Sequence, residues 1–242
     1  PSRSRRRPSW PSFAWTTGSR VNFQDSLRLS IALGLTIFLV LLRFDSERIM
    51  RSDYFRSRSG WIGPLSYYGL VVLFAIGIAF ILPRGRAQLF LAPGDPESML
   101  PVMLLFSAVA ILNGLVLAFV RYRAILPLPT PLLVSRLAGA AANAFAEELQ
   151  FRSIVLGMLL FAGLPGGVGT ALVVQALLYG LAHRRLWNER DWYFLAGSVI
   201  LGYAAGLATV TTGSVVPAMV GHFAVTASLF AFAGGRLRQR PI

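Results

Sequence analysis

Seven apolar blocks, parted by short polar or Pro/Gly-rich joints, limit what this chain can fold into. They run Leu27–Leu42, Trp61–Leu82, Met99–Val120, Leu132–Phe161, Gly167–Ala182, Trp192–Val210 and Ser214–Ala233. A bilayer core takes about 20 apolar residues to cross as a helix, and within it every backbone polar group must be bonded internally. Helices and closed barrels meet that demand. Barrel strands alternate apolar and polar residues, whereas these blocks are unbroken. With 55% hydrophobic residues, 14% charged ones and a mean hydropathy of +0.61, the chain reads as an all-α, polytopic transmembrane helix bundle. Seven spans are expected, or eight if the unusually polar stretch 132–161 is two pieces.

Charge fits the same picture. The net charge is +13, from 23 basic and 10 acidic residues, and every basic residue is arginine. Most arginines lie at block ends and in the tails, where anionic headgroups attract them. Membrane lipids are therefore the expected partner and nucleic acid is not. Both tails are basic, and the positive-inside rule does not settle orientation. There is no cysteine, which removes thiol catalysis, thiolate metal sites and disulfides. The basic run Arg3–Arg7 leads into polar residues, so no cleavable signal peptide is expected. Four regions follow: a basic irregular tail (1–26), N-terminal transmembrane helices (27–126), a second transmembrane unit (127–235) and a basic C-terminal tail (236–242). The charged connector Arg43–Gly60 is expected to lie as a surface helix.

Chemistry is sought where polarity is expensive. A charge deep in a bilayer costs roughly 2.5–3.5 kcal/mol even on lenient scales. Inside the blocks the strongly polar residues are Glu147, Glu148 and Arg152 on one helix, His183 at the end of another and His222 in the last. Asn143, Gln150 and Gln175 are weaker members of the set. Glu148 and Arg152 stand four apart, in the favourable order for an ion pair. Glu147 is turned about 100° from Glu148 and faces elsewhere, with Asn143 on its side. One arginine for two glutamates leaves a carboxylate over, available as a base. Tyr179 and His183 share a helical face, as do His222 and Thr226. Two histidines and a surplus glutamate suffice for a general base, its orienting partner and an oxyanion donor. They suffice equally for a two-His, one-carboxylate zinc site at Glu147, His183 and His222. Spacing does not separate the two. A structural role for the glutamates, bonding helices together, is the bland alternative.

In this order, Glu147-Glu148-xxx-Arg152, an aromatic-xxx-His ending at His183 and a late His222-xxx-Thr226 resemble the motifs of the CPBP family. These are the CAAX-prenyl-protease and bacteriocin-processing membrane proteins, also called the ABI family. The glycine-patterned stretch from Phe194 through Gly197, Gly202 and Gly206 to Ser214 is similar to the helix that family places before its last histidine. The resemblance covers about residues 132–232. Two positions differ: Tyr179 stands where the family usually has Phe, and Thr226 where it usually has Asn.

The resemblance implies a bacterial plasma-membrane endopeptidase that cleaves membrane-associated or lipid-modified peptides without a metal or other cofactor. Glu147 would activate a water held between it and His183. His222, assisted by Thr226, would stabilise the oxyanion, and Glu148 held by Arg152 would shape the site. Other intramembrane proteases lack their motifs here: there is no His-Glu-x-x-His, no Asp within a block and no Gly-x-Ser-Gly. Two further readings stand beside this one. The first is a non-catalytic subunit or assembly factor of a larger membrane complex, suggested by Thr226 and the long basic tail. The second is a small transporter using Glu147 and His222 as a proton relay.

Overall fold

The computed structural model describes residues 23–50, 62–183 and 192–238. Helix α1 (Phe23–Met50) and α2 (Ile62–Ile81) come first, followed by the one-turn α3 (Gly85–Gln88). Next is α4 (Pro96–Val116), which runs on into a π-helical turn, Leu117–Arg121. A long rod follows: α5 (Thr130–Glu148), a π-helical stretch (Leu149–Val155) and α6 (Leu156–Phe161), in unbroken succession. The last three helices are α7 (Gly167–His183), α8 (Trp192–Thr212) and α9 (Val216–Arg238). Among the described residues there is no strand.

Local chemistry sets several helix ends. The Asp95 side chain accepts from Glu97 N–H at 3.2 Å at the start of α4, and Pro96 follows where its missing N–H is harmless. Pro127, Pro129 and Pro131 keep the preceding backbone extended. That segment runs beside the end of α9, with Leu126 N–H donating to Phe232 O (2.8 Å) and Leu128 N–H to Phe230 O (3.1 Å).

Among the described residues, five helical segments are long and apolar enough to cross a membrane: Phe23–Asp45, Gly63–Ile81, Pro96–Val120, Phe194–Thr212 and Val216–Gly234. Many of their large apolar side chains point outward, among them Phe38, Leu73, Leu105, Phe119 and Ile200. The stretch 132–161 is one continuous rod rather than two pieces. Its π-helical section is buried on all sides although it carries Gln150, Arg152 and Ser153, so the polar middle of this block belongs to the interior. The expected surface helix over 43–60 is also revised: residues 43–50 extend α1, and 51–61 lie outside the described residues. The basic N-terminal tail up to residue 22 lies outside them as well.

Helices α1 and α2 pack onto the rod through regular seams. On α1 the buried residues are Ala32, Thr36, Leu39 and Arg43, and on α2 they are Gly63, Tyr67, Val71, Ala75 and Ile78. Spacings of three and four put each set on one helical face. Together with Leu82, Leu89, Leu149, Ile154 and Met158, the apolar members Ala32, Leu39, Tyr67, Val71, Ala75 and Ile78 form one cluster. The N-terminal helices thus share a core with the rod. On the opposite side, α7 and α8 approach closely over glycines. A Cβ on Gly202 would stand 3.1 Å from Ala176 Cα, and one on Gly206 would stand 2.7 Å from Gln175 Oε1.

Candidate active site

Glu147 and Glu148 are adjacent at the junction between α5 and the π-helical stretch, and both are buried. A π-turn within an α-helix is a frequent feature of functional sites. Here it follows immediately on the two carboxylates, which point to different neighbours.

Glu148 sits between a cation and an imidazole. Arg152 Nε lies 2.9 Å from its Oε2, and His222 Nδ1 lies 2.7 Å from its Oε1. A carboxylate accepts, so His222 Nδ1 carries the hydrogen and Nε2 is left toward Glu147 Oε2, 4.0 Å away. Arg152 is fully buried, with its guanidinium carbon 4.1 Å from the centre of the Tyr179 ring, a cation–π contact out of water. Its Nη2 also points at the carbonyls of Leu201 and Gly202 on α8, at 3.4 and 3.5 Å.

Glu147 faces the other way, and its two oxygens are divided. Oε2 accepts from the Tyr179 hydroxyl at 3.3 Å and lies 3.3 Å from His183 Nε2. His183 Nδ1 is 2.8 Å from Tyr179 O. A carbonyl only accepts, so Nδ1 carries the hydrogen and the ring is oriented with Nε2 toward the carboxylate. Oε1 is bonded to Nη2 of Arg43, from α1. The carboxylate expected to be left over is therefore paired. The single-arginine count considered only the helix that carries both glutamates, whereas the second cation arrives from 104 residues away.

The structure thus brings Glu147, Glu148, Arg152, His183 and His222 together from the rod, α7 and α9. Thr226 is placed differently. It is half-buried, and its hydroxyl donates to His222 O one turn back, at 3.3 Å. This is the usual back-bond of a helical threonine. A role beside His222 on an oxyanion is not reflected in that contact. Two of the weaker polar residues, Gln150 and Asn143, serve as ties between helices. The Tyr67 hydroxyl bonds Gln150 Oε1, Gln150 Nε2 donates to Leu39 O at 3.0 Å, and the Tyr68 hydroxyl reaches Asn143 Oδ1 at 3.2 Å.

Arg43 and the tyrosines of α2 are what sequence reasoning missed. Two signals pointed to Arg43: a buried carboxylate needs a counter-charge, and Arg43 continues the Ala32, Thr36, Leu39 spacing. Among the described residues, no group of three or more His, Asp and Glu side chains is arranged to hold a metal ion. The guanidinium bonded to Glu147 is also a poor neighbour for a cation, so the zinc arrangement at Glu147, His183 and His222 does not fit, and no step is derived through it.

Buried carboxylates and imidazoles converging from separate helices of an apolar bundle define a class: an integral membrane protein with a site suited to acid–base chemistry. Residues 129–228 match the family model described as type II CAAX prenyl endopeptidase Rce1-like. Over this segment the chain is similar to the CAAX-type prenyl endopeptidases that the model describes. No curated protein and no solved structure matches it.

Proposed function

We propose that the chain is an intramembrane endopeptidase that hydrolyses a membrane-associated or lipid-modified peptide with a glutamate-activated water. The observation that carries the reading is the environment of Glu147 Oε2, which has the Tyr179 hydroxyl and His183 Nε2 at 3.3 Å and His222 Nε2 at 4.0 Å around it. In the first step Glu147 takes a proton from a water held against His183. The water oxygen bonds to the scissile carbonyl carbon, and the carbonyl electron pair moves onto its oxygen. His222, protonated at Nε2 and buttressed through Nδ1 by Glu148, donates to that oxyanion. One such donor is worth about 2.7–4 kcal/mol. As the tetrahedral adduct collapses, the C–N bond breaks and Glu147 returns its proton to the leaving nitrogen. Arg152 holds Glu148, which orients His222 as the carboxylate of a Ser-His-Asp triad orients its histidine.

The test is hydrolysis of an internally quenched, farnesylated peptide with a CAAX terminus by the purified chain in detergent. Glu147→Gln and His183→Ala are expected to abolish turnover, about 10³-fold or more, while extracting and eluting like the parent. A Glu147→Gln variant with full activity removes the assignment of the base. Chelator is expected to leave the rate unchanged, because no step uses a metal.

Two observations favour a second reading, a non-catalytic subunit of a larger membrane complex. Glu147 is ion-paired to Arg43, and Thr226 is turned to its own helix. Co-purification of a stoichiometric partner, with no hydrolysis of the peptide, is the result that selects it.

A further inference from the structure

We propose that Arg43 is the positioning residue of this site: by holding Oε1 of Glu147 it leaves Oε2 to Tyr179, His183 and His222, so that the N-terminal helices complete the site. The inference rests on the peptidase reading of Glu147. Arg43 lies on α1, outside the matched segment 129–228.

Three observations carry it. First, the division of the carboxylate is complete. One oxygen is bonded to Arg43, and the other has the Tyr179 hydroxyl and His183 Nε2 at 3.3 Å and His222 Nε2 at 4.0 Å. A base held at one oxygen presents the lone pairs of the other in one direction, which is the positional condition for proton abstraction. Second, Arg43 is itself fixed. It closes the buried α1 seam one turn after Leu39, whose carbonyl accepts from Gln150 of the rod at 3.0 Å. Its guanidinium carbon lies 5.9 Å from the centre of the Tyr67 ring, and the Tyr67 hydroxyl bonds the same Gln150. Arg43 and Glu147 are thus carried by two elements tied together next to the ion pair. Third, the forked guanidinium suits the task. Its planar donors fix the plane of a carboxylate, which a lysine ammonium does not do.

An arginine on a base also makes that base weaker, so the same contact would act as a brake if strength mattered more than aim. Steady-state kinetics separate the two. With the farnesylated CAAX peptide as probe, Arg43→Lys and Arg43→Met are expected to lower kcat about 10-fold and 10²-fold respectively, with KM within a factor of two. Methylguanidinium is expected to restore part of the rate to Arg43→Ala. A kcat equal to or above the parent's in Arg43→Met overturns the proposal, as does a loss confined to KM.

A second measurement judges Arg43 without turnover. It is the thermal unfolding in detergent of the parent, Arg43→Lys, Glu147→Gln and the double variant, all as the full chain. Non-additive shifts in Tm are expected, and strict additivity overturns the contact. The two claims fail separately. An active Glu147→Gln variant removes the peptidase reading, whereas additivity in the cycle removes Arg43 as the holder of Glu147, whatever the peptide assay gives.

Discussion

Tyr179 shows how much one oxygen atom can report. Its hydroxyl donates to Glu147 Oε2 at 3.3 Å while its ring packs against His183, with centroids 4.3 Å apart, and under the Arg152 guanidinium. Tyr179→Phe keeps the ring and both stacking contacts, and Glu147 keeps Arg43. The expected loss is that of one hydrogen bond, about 0.5–1.5 kcal/mol, seen as a small fall in Tm with the same elution profile. Glu148→Gln is expected to do more, because it removes the charge that both Arg152 and His222 address. Hydrogen bonds to charged groups contribute about 1.5–3 kcal/mol each, and Arg152 has no solvent to turn to. Peptide turnover should fall with stability here, whereas a Tyr179→Phe variant should keep most of its kcat.

Among the helices, two features place these side chains. The π-helical stretch Leu149–Val155 lies inside the bundle on every side, so a proline there would remove a bond that nothing else can replace. The second feature is the glycine face of α8. Gly206 lies against Gln175 and Leu172 of α7, with 2.7 and 2.8 Å available where a Cβ would sit. Gly206→Leu is expected to push α8 from α7, cost about 1–3 kcal/mol as overpacking does and displace the carbonyls that Arg152 Nη2 faces. Gly221 is the counterpart on α9: a Cβ there would stand 2.3 Å from the Phe106 ring of α4. Because the next residue is His222, Gly221→Val should reduce peptide hydrolysis more than it lowers Tm.

At the scale of the whole molecule, the site is divided between a segment that matches a known family and helices that do not. Leu39, Arg43, Tyr67 and Tyr68 all bond to the rod from outside residues 129–228. A chain lacking α1 would bury Glu147 without that cation, a loss that costs about 3–5 kcal/mol in buried pairs. It would also uncover the apolar cluster shared by α1, α2 and the rod. Removal of residues 1–60 is therefore expected to abolish recovery of a monodisperse protein in size-exclusion chromatography.

The sequence by itself determined the class and the cast. Apolar block lengths required membrane helices, and the cost of polarity among them singled out Glu147, Glu148, Arg152, His183 and His222. The Glu148–Arg152 pairing was equally legible, since a spacing of four is a local property of a helix. Only the tertiary structure decided which oxygen of Glu147 faces the histidines, that Arg43 takes the other, and that Thr226 bonds its own helix. The difference is physical. Helical periodicity relates residues within a few positions of one another, while the Arg43–Glu147 contact joins residues 104 apart and depends on how two seams pack.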